Sequence, residues 1–102
     1  MESKFVKLAT SIIENYFICR EALVTSSLSS GEIDYGNPFY VYYRDVNITY
    51  MKLNDDERLI IKNEFINPQN SKWWKDLYLA KEYRAIRRKA IANFVRLFYE
   101  IH

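Results

Sequence analysis

Lys81, Arg84, Ala85 and Arg88 carry the most specific chemical signal in this chain. On a helix of about 100° per residue, with Tyr83, Ile86, Ala90 and Phe94 turned inward, these four turn outward. Lys89 and Arg96 flank them, and Arg87 stands at the edge of the inward stripe. The first two turns therefore present basic side chains around one small residue. A helix that enters the major groove of DNA by its N-terminal half needs this arrangement, because every bulky outward group there must meet a base or a phosphate. Arg bonds guanine bidentately, and both Lys and Arg neutralise phosphate.

Other residues suggest other chemistries. Trp73-Trp74 invites a stacking platform for single-stranded nucleic acid. Neighbours on a helix point about 100° apart, however, so at least one ring is expected in the core. Tyr40, Tyr42 and Tyr43 are expected to pack on a long helix. Asp55, Asp56 and Glu57 suggest a cation site, but helix capping accounts for them. Cys19 reads as a small buried apolar residue and His102 as a mobile terminal one. No nucleophile–base pair, glycine-rich phosphate loop or uncommitted carboxylate pair is present. The expectation is a protein that is not an enzyme, with no cofactor and no metal.

The elements that must position these residues are expected to be helical. The chain has 102 residues, the length of one domain, with 49% hydrophobic and 27% charged residues. Only two glycines and two prolines are present, too few for the turns of an all-β fold. A lone cysteine forms no internal disulfide, and no apolar run approaches the roughly 18 residues of a membrane span. The N-terminus lacks the apolar stretch of a signal peptide, so the expected location is cytoplasmic, away from membranes. Charge is uneven. Residues 1–71 carry seven Lys/Arg and ten Asp/Glu, a net of −3, whereas 72–102 carry eight and three, a net of +5. A polyanion would bind at the basic end.

Along the chain, Phe5, Leu8, Ile12, Ile13, Tyr16, Phe17, Leu23 and Val24 predict an amphipathic helix over 3–24, capped by Ser3. The Ser-rich stretch and Gly36-Asn37-Pro38 predict a linker over 25–38. Residues 39–52 have strand-like composition. A helix is favoured because an isolated strand leaves its backbone groups unpaired. Asn54 with Glu57 three residues later predicts a capping box and a helix to about Ile66, stopped by Pro68. Ser71 is expected to cap a short helix, Lys72–Leu77, which buries Trp74 and Leu77. A tight connection at 78–80 leads to a last helix from Lys81, with Tyr83, Ile86, Ala90, Phe94, Leu97 and Ile101 inside. The fold class expected is all-α: one small helical domain, 1–102, whose 53–102 part contains a C-terminal helix-turn-helix.

The stretch Leu53-x-x-x-Glu57-Arg58-x-Ile60-Ile61, followed by a short helix, a turn and Tyr83-Arg84-Ala85-Ile86-Arg87-Arg88-Lys89-Ala90-Ile91-x-x-Phe94, resembles region four of bacterial sigma factors. It resembles still more the small phage-type transcriptional regulators of the ArpU kind. The paired tryptophan and the abundance of Ile, Lys, Asn and Tyr are also similar to a group of small mycoplasma proteins. The likeness covers about residues 50–98. Two features depart from the pattern: Tyr78-Leu79-Ala80 replaces the usual small and capping residues of the turn, and Trp73-Trp74 replaces the usual small residue of the first helix.

The resemblance implies a regulator of transcription that binds double-stranded DNA. Lys81, Arg84, Ala85, Arg87 and Arg88 would face the duplex, and Lys72 and Lys75 would touch flanking phosphates. The alternative is a protein-interaction module without DNA specificity of its own. Helix 3–24 and the exposed aromatics would then engage RNA polymerase or a second copy of the chain, as a homodimer.

Overall fold

The computed structural model describes residues 3–30 and 35–102, and every regular element among them is helical. Four α-helices follow in order: α1 (Lys4–Ser30), α2 (Pro38–Lys52), α3 (Asp55–Ile61) and α4 (Ala80–Ile101). A π-helical turn, Lys62–Ile66, continues α3.

Ser3 caps α1, accepting from the Val6 N–H at 3.3 Å. The helix continues past the expected end at residue 24 and takes in Thr25–Ser30. Each serine costs a helix only a fraction of a kcal/mol relative to alanine, and extending an established helix is far easier than nucleating one. Of the linker expected over 25–38, residues 25–30 are thus helical, 31–34 lie outside the described residues, and Asn37 and Pro38 open α2. Asn37 Oδ1 accepts from the Phe39 N–H at 2.9 Å, and Pro38 takes the first-turn position that suits its fixed φ. The strand-like residues 39–52 are helical.

Asn54 and Glu57 form the expected box. The Glu57 N–H donates to Asn54 Oδ1 at 2.8 Å, and the Asn54 N–H donates to Glu57 Oε1 at 3.0 Å. α3 then carries Ile60 and Ile61 into the interior, where both are fully buried. After the π turn, Pro68 stands outside any regular element.

The short helix expected at Lys72–Leu77 is not formed. The segment is a succession of turns, bonded Lys75 N–H to Lys72 O and Leu77 N–H to Trp74 O. Asn70, not Ser71, supplies the side-chain cap, its Oδ1 accepting from the Lys72 N–H at 2.9 Å. The reason lies in the two tryptophans. Both pack on one ring, Tyr83: Trp74 stacked at 4.4 Å and Trp73 edge-on at 6.0 Å. Consecutive helical residues would point about 100° apart, so the backbone turns instead. Leu77 is correspondingly 59% exposed and not buried.

α4 packs against α1, α2 and α3. Its buried residues are Ala90, Ile91, Phe94, Val95 and Phe98, whereas Tyr83, Ile86, Leu97 and Ile101 of the expected stripe are only half-buried. A helix covered from several sides needs a broader buried face than one stripe supplies. Ala9, Ile12 and Ile13 of α1, Val46 of α2, Leu53 and Ile61 complete the core around Phe94 and Phe98. Tyr42 and Tyr43 pack on α1 as expected: Tyr43 stacks on Tyr16 at 5.2 Å, and the Tyr42 hydroxyl donates to Ile12 O. Burial raises the Tyr16 and Tyr42 hydroxyls above their ordinary range and does the same to the buried Cys19 thiol.

His102 is not free, contrary to the expectation of a mobile end. Its ring stacks on Phe98, and its Nδ1 lies 2.9 Å from Oδ2 of Asp45, a buried carboxylate of α2.

Candidate nucleic-acid interface

α4 begins one residue before the expected Lys81. Leu79 precedes it and has no side-chain acceptor, so only the returning half of a capping box forms: the Leu79 N–H donates to Glu82 Oε1 at 3.1 Å. The aromatic stack on Tyr83 anchors the preceding turns to this first turn of α4. The Tyr78 hydroxyl adds a second anchor, donating to Asp56 at the start of α3.

Lys81, Arg84, Ala85 and Arg88 are all exposed. The four residues that helical periodicity turns outward are thus exposed in the structure, with Glu82, Lys89 and Arg96 exposed beside them. Lys72 and Lys75 are exposed in the preceding turns.

Arg87 differs. It is half-buried, and its Nε donates to Glu64 Oε1 at 2.7 Å. The same carboxylate accepts from the Tyr83 hydroxyl. Burial pushes the Tyr83 hydroxyl well above its ordinary range and the bond to Glu64 pushes it further; Arg87 offsets part of this. Burial is the largest single influence on Arg87 and works against its charge, but the hydrogen bond to Glu64, the charge of Glu64 and the contribution of Tyr83 together outweigh it, and the guanidinium is held charged. Arg87 is thus committed within the fold, so it leaves the set of free DNA-facing cations. Glu64 sits in the π turn, where the helix is locally wider.

Arg84, Ala85 and Arg88 line a groove of about 870 Å³ that runs along α4 to the start of α1. Lys89, Asn93 and Arg96 continue its wall, and Phe5 and Val6 of α1 form part of its other side. Arg96 lies over the Phe5 ring, 5.7 Å from the centroid. Lys81, Lys72 and Lys75 do not line this groove. The sequence marked Lys89 and Arg96 only as flanking residues. Phe5 carried no signal of a site, because nothing local in the sequence pairs the start of α1 with α4.

The acidic triplet is engaged otherwise. Asp55 pairs with Arg58, Asp56 accepts from Tyr78, and the buried Glu57 accepts from Asn54 and from Asn93 Nδ2. Among the described residues no group of three or more His, Cys, Asp or Glu is placed to hold a metal ion. No helix among them is long and apolar enough to cross a membrane.

No protein-family model, curated protein or solved structure matches this chain.

Proposed function

We propose that this chain binds double-stranded DNA as a small transcriptional regulator, related in mode of action to region four of sigma factors and to the ArpU kind of phage regulator. The observation that carries the reading is the unneutralised basic face of α4: Lys81, Arg84 and Arg88 exposed around the small Ala85. The N-terminal half of α4 would lie in the major groove. Arg84 and Arg88 reach base edges or phosphates there, and Ala85 allows the backbone to approach closely. In this reading the turns 71–77, locked by Trp73 and Trp74 on Tyr83, stand where a helix-turn-helix has its first helix, and Lys72 and Lys75 meet the flanking phosphates.

The test is binding of the full chain to duplex DNA. Selection from random-sequence duplexes should enrich a motif, and fluorescence anisotropy should show affinity falling steeply with salt. The double variant Arg84→Glu, Arg88→Glu should abolish binding while its circular dichroism stays that of the wild type. Unchanged affinity in that variant would remove α4 as the reading helix.

A second reading has its own support. Leu77 and Leu79 are 59% and 73% exposed beside the start of α4, and large exposed apolar groups of this kind favour a protein partner. The partner would be RNA polymerase or a second copy of the chain. DNA binding of only micromolar strength without a motif, together with capture of RNA polymerase or sedimentation as a dimer, would support this reading over the first.

A further inference from the structure

Resting on the DNA-binding reading above, we propose that the groove between α1 and α4 seats the phosphate backbone of the bound duplex, with Lys89 and Arg96 as phosphate contacts beyond the reading helix turns. The rim of this groove carries Arg84, Arg88, Lys89 and Arg96, and no carboxylate lines it. None of these four makes an ion pair among the described residues, whereas Arg87 beside them is already neutralised by Glu64. One rigid helix holds the four, so an anion seated among them relieves their mutual repulsion.

The spacing selects the kind of anion. From Arg84 to Arg96 the helix rises by about 18 Å, and from Lys89 to Arg96 by about 10 Å, at about 1.5 Å per residue. A single phosphate ion reaches one end of such a line. A DNA strand sets a phosphate at about every 3.4 Å of axial rise and matches its whole length. The guanidinium of Arg96 is already held over the Phe5 ring, so less side-chain freedom is lost when it meets a phosphate. Phe5 and Val6 give the groove an apolar side that the sugar edges of the strand can cover.

The experiment is anisotropy of a labelled duplex titrated with the full chain from about 50 to 200 mM salt, over which phosphate contacts dominate the change in affinity. Lys89→Gln and Arg96→Gln should each lower the slope of log affinity against log salt by about 0.9. They should weaken the selected and a scrambled duplex by the same factor, because a phosphate contact carries no sequence information. Arg96→Lys should keep the wild-type slope. Thermal melting of each variant separates lost charge from lost packing on Phe5.

An unchanged slope in both glutamine variants, with Arg84→Glu, Arg88→Glu still abolishing binding, overturns the groove inference and leaves the proposed function standing. Failure of the wild-type chain to bind any duplex overturns both.

Discussion

Glu64 holds two groups of α4 at once, the Tyr83 hydroxyl and the Arg87 guanidinium. Tyr78 makes a parallel bond to Asp56. Burial, then Asp56, pushes the Tyr78 hydroxyl up to about 12, and Tyr83 is raised further for the matching reasons. An unfolded tyrosine loses its proton near pH 10. A folded pKa above the unfolded one stabilises the fold fully below that pH, and the contribution disappears as pH rises through the folded value. Urea midpoints should therefore hold to about pH 9 and fall between about pH 10 and 12. The pair of changes Tyr78→Phe and Tyr83→Phe should flatten much of that decline, leaving the smaller share of Tyr16 and Tyr42. An equally steep decline in the double variant would remove these two bonds as its cause. Periodicity alone put Lys81, Arg84, Ala85 and Arg88 outside, because outward direction is a local property of one helix. The loss of Arg87 to Glu64 was not legible. It depends on a partner many residues earlier, brought into reach by a π turn that no sequence pattern announced.

Elements show the same division between local and distant causes. The Asn54–Glu57 box was readable because both partners lie within one turn. Asn54→Ala should cost about 1 kcal/mol in chemical denaturation. Asn54→Ser, which keeps an acceptor, should cost less than half of that. Equal losses in the two variants would mean that the cap is not what holds α3. The end of α1 was misread because Ser and Gly composition marks a tendency to break, and a long helix already formed overrides it through Ser30. The Lys72–Leu77 segment was misread for the opposite reason. Its sequence suits a helix, but Trp73 and Trp74 both find their partner in Tyr83, whereas a regular helix aims adjacent residues about 100° apart.

At the scale of the molecule, α1, α2, α3 and α4 meet on Phe94 and Phe98, both fully buried. Phe94→Ala should cost about 3–5 kcal/mol, a large part of the roughly 5–15 kcal/mol that holds a domain of this size folded. The denaturation midpoint should fall with little change in slope; a loss below about 1 kcal/mol would place the structural centre elsewhere. Part of this core was legible: Ile12, Ile13, Ala90 and Phe94 follow helical spacing. Ile91, Val95 and Phe98 were not, because they face neighbours whose positions only the assembled fold defines. Charge behaved similarly. The sequence divides into an acidic part and a basic part, yet the fold lays the start of α1 beside the basic face of α4, and the groove belongs to both.

The stack on Tyr83 has a practical consequence. The chain has only two tryptophans, and both touch that ring. Indole light emission from this protein is thus a report from a single corner, at the root of the basic helix. It is blind to the far end of α1 and to α2, where helical ellipticity is also generated. Followed together, the two signals separate a loosening of this corner from melting of the whole, with no dye and no engineered probe.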